Sequence, residues 1–180
     1  MNDVVNFFSA GSGGGEYLSW KAQLKRWVVD GEECELKRVL IDPTTLRTGW
    51  GKLAAGAPPD FVWSEVPGSR TDQPSPDHKP AFSLQVYVSE KFGAPEGHSG
   101  WRDFRSNGRG ARDGLTAIWK QMSDEMGENA GKVASVDVKG AEEMAVGPGR
   151  TAVPTLSIRG WVEAPVPAPA PVEEDAGDVF

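Results

Sequence analysis

Three stretches of the chain set cationic side chains beside aromatic rings at short spacing. The chemistry open to such groupings is the holding of flat, anionic polymers. Unpaired nucleic acid needs cations along its phosphates and ring faces for its bases, each stack being worth about 1–3 kcal/mol. The first stretch holds Lys21, Lys25 and Trp27; alternation carried past Leu24 puts Trp27 on the side of the lysines. The second is TLRTGWGKL, with Arg47, Trp50 and Lys52. The third is WRDFRSNGRGAR, with Trp101, Arg102, Phe104, Arg105, Arg109 and Arg112. Tyr87, on the polar side of an alternating segment, offers a fourth stacking position. Trp20 and Trp119 fall at apolar spacings and read as core, as do Trp63 and Trp161. No stretch is specific alone; their coincidence carries the reading.

Catalytic groupings are scarce. The GSGGG run lacks the Gly-Lys-Ser/Thr ending of a phosphate loop and precedes a strand pattern, and Gly108-Arg109-Gly110 completes no dinucleotide fingerprint. His78 and His98 lie in Pro/Gly-rich sequence without a partner at helical metal-site spacing. Cys34 is the single cysteine, which rules out an internal disulfide and a four-thiolate site. Acidic pairs such as Asp124/Glu125 and Glu142/Glu143 read as solvated charge. Neither an enzyme, a metal site nor a cofactor is expected.

The elements that must position these residues follow from hydrophobic periodicity. Leu18, Trp20, Ala22 and Leu24 alternate with Ser19, Lys21, Gln23 and Lys25, the pattern of a half-buried strand. Asp30-Gly31 signals a hairpin turn, a second strand covers about 33–41, and Asp42-Pro43 breaks it. Residues 46–53 extend or re-enter the sheet. Residues 54–80, with six prolines, are loop except for the apolar island Phe61-Val62-Trp63. Ala81–Phe92 is the clearest strand, with Phe82, Leu84, Val86 and Val88 inward. Gly93–Arg112 reads as a Gly/Arg loop. Leu115, Ile118, Trp119, Met122 and Met126 mark one face of a helix, with Asp113 as N-cap and Gly127 or Gly131 as stop. Strands over about 132–139 and 153–163 complete the pattern.

Three strands, a helix and two strands is the chain order of the OB-fold, a five-stranded Greek-key barrel with its helix between strands three and four. The expected organisation is a flexible segment over 1–16, rich in glycine at 9–15, an OB-like nucleic-acid-binding domain over 17–163, and a disordered acidic tail over 164–180.

The net charge of −7 opposes a polyanionic ligand until its distribution is considered. Residues 163–180 hold five acids and no base, so 21 of the 26 acids remain against 19 bases elsewhere. The tail itself is a Pro/Ala spacer followed by Glu173, Glu174, Asp175, Asp178 and a final Phe180. It resembles the C-terminal tails of bacterial SSB proteins and of T7-type bacteriophage single-stranded DNA-binding proteins, which follow an OB-fold. The likeness is specific over the last eight residues and otherwise covers element order and composition. The Pro-rich insertion and the arginine loop look more like the diverged bacteriophage versions.

The resemblance implies a protein that coats single-stranded DNA in replication, recombination and repair, and that recruits replication or recombination enzymes through the tail. It also allows a homo-oligomer. No apolar run approaches the about 18 residues of a membrane span. Together with an N-terminus lacking a basic region, this places the expected site of action in the cytoplasm, the host's for a bacteriophage protein. The competing expectation is a small phage protein-interaction module, or an inhibitor of a host enzyme, using the same aromatics without nucleic acid.

Overall fold

The alternation that opens the domain builds β1, Tyr17–Lys21, which turns through residues 22–25 into β2, Arg26–Val29. Lys25 takes a positive φ of 52° in that turn. Asp30-Gly31 then forms the two-residue hairpin turn to β3, Glu32–Cys34, with φ of 51° and 85° and Val29 paired to Glu32. Left-handed backbone at both positions suits the twist of the flanking strands, and glycine adopts it without a Cβ penalty. The structure is a computed structural model and describes residues 16–69 and 71–169.

β4 runs from Arg38 to Lys52, through the expected break at Asp42-Pro43. A register shift between Asp42 and Arg47 accommodates the proline. Asp42 Oδ1 accepts bonds from Thr44 N and Oγ1, Thr45 Oγ1 donates to Asp42 O, and Gln85 N donates to Thr45 Oγ1. Side chains thus replace part of the interrupted ladder. The Pro-rich stretch contributes β5, Asp60–Trp63, paired with the end of β4. β6, Lys79–Val88, meets the strongest strand expectation as far as Val88, burying Phe82, Leu84, Val86 and Val88, and the expected last residues, Glu90–Phe92, form a 3-10 turn instead.

The segment read as a Gly/Arg loop contains β7, Gly100–Ser106, which lies between β1 and β6. Its arginines suggest solvent by composition, yet the strand has neighbours on both sides. α1, Arg109–Glu125, begins with Gly108 as N-cap. Asp113 is therefore inside the helix, paired to Arg109 at 3.3 Å, and Met126 is the C-cap. β8, Lys132–Val146, and β9, Gly149–Glu163, form a long hairpin with two register shifts.

The strand order is β3-β2-β1-β7-β6-β4-β8-β9, with β5 beside β4; β1–β7 is parallel and the other pairs are antiparallel. Strands far apart in this order nevertheless meet. Trp20 Nε1 donates to Ala152 O at 2.9 Å, and Lys25 pairs with Glu143 at 2.9 Å. The sheet is therefore curled into an open half-barrel around one helix. α1 closes its core with Leu115, Ile118 and Met122, while Gly110 and Gly114 lie on β9. The five expected strands become nine among the described residues, and the helix lies between β7 and β8. No helix among the described residues is long and apolar enough to cross a membrane.

Candidate nucleic-acid interface

Side chains that alternate away from the core of β1, β7, β6, β4 and β5 share the outer face of the sheet. Strand register sets Arg47 beside Ser83 and Ser83 beside Arg105, one row across three strands. Tyr17 is level with Asp103. On β5, Phe61 and Trp63 are two residues apart and so share a face, with rings stacked at 5.2 Å between centroids and 5° between planes. Their strand partners are Gly51 and Gly49. A Cβ on Gly51 would lie 2.6 Å from Phe61 Cε1, so the missing side chain lets that ring approach the sheet.

The cations are interleaved with these rings. The Arg105 guanidinium lies 5.2 Å from the Phe61 centroid, 5.4 Å from Tyr17 and 5.8 Å from Trp63, and Arg47 lies 4.8 Å from Trp63. Such distances are within the reach of cation–π attraction. Asp103 fixes Arg105 through bonds of 2.6 and 3.1 Å and accepts a bond of 2.7 Å from Ser83 Oγ. Arg47 Nη2 approaches Ser83 Oγ at 3.5 Å. The result is a braced plate of three rings and two guanidinium groups, with Lys21 and its strand partner Arg26 exposed at its margin. Trp63 Nε1 is enclosed and has no acceptor among the described residues. Chemically, the plate combines aromatic rings and guanidinium groups that already engage one another, with Arg105 only 12% exposed and bonded to Asp103.

One cation from each of the three sequence stretches reaches this face: Lys21, Arg47 and Arg105. Most of the other expected contacts are elsewhere. Trp27 is a core residue, because the turn at 22–25 resets the alternation and pairs it with Trp20 on the inner face; the rings are 5.0 Å apart. Phe104 is also core, packed edge-on to Phe82 at 5.1 Å. Arg102, only 3% exposed, bonds Asp30, Glu16 and the carbonyls of Trp101 and His98. Trp101 is buried edge-on against Tyr87, and its Nε1 donates to Val166 O at 2.9 Å. Tyr87 is on the outer face but engaged there by that ring.

Lys25 is held by Glu143, and its ammonium together with Arg150 keeps the Glu143 carboxyl below the ordinary range. Lys52 faces Asp77 at 3.9 Å, and Arg109 faces Asp113. Trp50 and Arg112 line a cavity on the opposite face of the sheet. The tail residues Glu173, Glu174, Asp175, Asp178 and Phe180 lie outside the described residues.

Tyr17, Arg26, Phe61 and Trp63 were not singled out as contacts by sequence spacing, Trp63 being read as core. The available signal was a two-residue period within a proline-rich stretch, matched by Gly49 and Gly51 at the same period.

Two histidines have chemically suggestive neighbours. Ser75 Oγ is 2.7 Å from His78 Nδ1, and His78 Nε2 is 2.9 Å from Asp60 Oδ2. These are the side-chain types of a nucleophilic triad. Here, however, serine and histidine share one tight turn, Ser75 Oγ accepts the Asp77 amide at 3.3 Å, and His78 is buried. The grouping fastens the Pro-rich loop to β5. His98 lies between Asp30 and Glu32, at 2.7 and 3.2 Å, and ties the β2–β3 turn to the loop before β7. Among the described residues no group of three or more His, Cys, Asp or Glu side chains is placed to hold a metal ion. Compared with known proteins, the chain matches no family model, no curated protein and no solved structure.

Proposed function

We propose that the protein binds single-stranded DNA across the outer face of its half-barrel, without strong sequence preference. The observation that carries this reading is the plate itself: Tyr17, Phe61 and Trp63 interleaved with Arg47 and Arg105 on rigid strands. Every base has a ring face, so stacking tolerates sequence, and the flanking Lys21 and Arg26 extend the cationic track toward β2. A curled, mostly β sheet with one helix supports the further reading of the domain as an elaborated OB-like barrel. On this reading the acidic segment around Glu173–Asp178 competes with DNA for the cations and, when released, recruits replication or recombination enzymes. A bacteriophage origin and a role in replication, recombination and repair follow from the same resemblance.

The test is a gel-shift series with oligo-dT, duplex DNA and oligo-U, paired with tryptophan fluorescence. Oligo-dT should shift the protein at low salt and quench Trp63. An unshifted band and an unchanged spectrum at low salt would sink the reading.

The position of Asp103 at the centre of the plate favours one alternative. A carboxylate that already neutralises Arg105 suits a protein partner offering its own donors, as in an interaction module or inhibitor of a host enzyme. Tight capture of a protein through Phe61 and Trp63, without any shift of single-stranded DNA, would select that alternative.

A further inference from the structure

A second site lies on the other face of the sheet and does not rest on the reading above. Thr48, Trp50 and Phe82 alternate with the plate residues and therefore point inward. Opposite them, α1 presents Arg112, Leu115, Thr116 and Trp119 on one stripe, at i, i+3, i+4 and i+7. Between the two is a cavity of about 730 Å³, walled mainly by Leu46, Trp50, Phe82, Leu115 and Trp119. This volume is in the range that encloses a small organic ligand.

The polar groups of the wall are largely occupied internally. Thr48 Oγ1 accepts the Gly68 amide at 2.7 Å, and Trp50 Nε1 donates to Thr71 O at 2.8 Å. Thr116 Oγ1 donates to Arg112 O at 2.7 Å, and Asp113 is paired to Arg109. The exception is Arg112. Its Nε is enclosed and has no acceptor among the described residues. That nitrogen is closed to the cavity too, but the terminal guanidinium nitrogens of Arg112 have no hydrogen-bond or ion-pair partner among the described residues, and a carboxylate in the cavity would supply a charge-assisted one. The apolar wall calls for an apolar body, its ring-rich lining suits a flat one, and the single open cation calls for one negative charge.

We propose that this cavity binds a flat aromatic monoanion, with Arg112 as its anion contact and Trp50, Phe82 and Trp119 around its ring system. Naphthoate and its neutral analogue naphthamide are suitable probes, titrated calorimetrically into the full chain. Naphthoate should bind at least about tenfold more tightly than naphthamide, the scale of one charge-assisted contact. Arg112→Gln should remove that difference while leaving naphthamide binding in place. Thr116→Trp, at an exposed helix position on the cavity wall, should abolish binding of both probes without unfolding the protein, as judged by circular dichroism. A Phe61→Ala/Trp63→Ala double variant should lose oligo-dT binding and keep naphthoate, which separates this site from the plate. Equal affinity for the two probes, binding of neither, naphthoate binding indifferent to Arg112→Gln or Thr116→Trp, or its loss in the plate variant would each overturn the proposal.

Discussion

At the scale of single residues, burial sorts the arginines into two jobs. Arg102 and Arg105 are three positions apart on one strand, yet Arg102 is enclosed and Arg105 reaches the outer face. Removing Arg102 leaves Asp30 sheltered, with His98 and the Tyr17 amide as its remaining partners. Arg102→Met should therefore destabilise the fold by about 3–5 kcal/mol, toward the low end because His98 remains. Urea unfolding measures this, and a midpoint equal to that of the parent protein would contradict it. Trp63→Ala acts on the other job. It should weaken oligo-dT binding by about 1–3 kcal/mol, and it should lower the unfolding midpoint only in part, through loss of the Phe61 stack and the Arg47 and Arg105 contacts, while the chain still folds. If affinity is unaltered, Trp63 does not stack on the strand.

At the scale of elements, the fit of α1 on β9 depends on two small residues. A Cβ on Gly110 would lie 2.1 Å from Ala152 O, and one on Gly114 would lie 2.8 Å from Pro154 Cγ. Gly110→Ala should push the helix off the strand and cost about 1–3 kcal/mol, despite alanine's better helix propensity. A gain in stability would mean that the helix shifts freely on β9. The β4–β8 pairing carries a pH-dependent contribution. Arg38 bonds Asp137 at 3.0 Å and, with Arg159 nearby, holds its carboxyl below the ordinary 3.8. A depressed carboxylate stabilises the fold above its ordinary value, and that stabilisation is lost as pH falls through the depressed one. Arg38→Gln should lower stability at neutral pH and flatten the acid limb of the stability curve. Denaturant midpoints from neutral pH down to about pH 2 would show it.

At the scale of the whole molecule, charge must be weighed by place. The chain carries −7, while Lys21, Arg26, Arg47 and Arg105 share one face with Asp103. With Arg105 neutralised by Asp103, about three phosphate contacts on single-stranded DNA, from Lys21, Arg26 and Arg47, imply a slope of log affinity on log salt near −2. A slope near zero would exclude phosphate contact as a source of affinity. Deleting residues 172–180, which hold four acids and no base, should tighten oligo-dT binding at low salt and change it little at high salt. Unchanged affinity at low salt would leave the segment with no role at the proposed DNA-binding face.

The sequence by itself determined what local rules control. The two-residue period predicted β1 and β6, Asp30-Gly31 predicted a hairpin turn, and the 3.6-residue period predicted the buried stripe of α1. Composition also marked the cation-rich stretches from which Lys21, Arg47 and Arg105 come. Only the tertiary structure decided which side chains meet. A four-residue turn reversed the expected face of Trp27, and pairing with β1 and β6 turned a Gly/Arg loop into an internal strand. The register of β5 on β4 brought Phe61 and Trp63 over glycines and beside Arg105. Periodicity fixes a side chain's face only relative to its near neighbours along the chain. A site assembled from five strands depends on long-range pairing and its bulges, and those are set by the packing of the whole sheet around its helix.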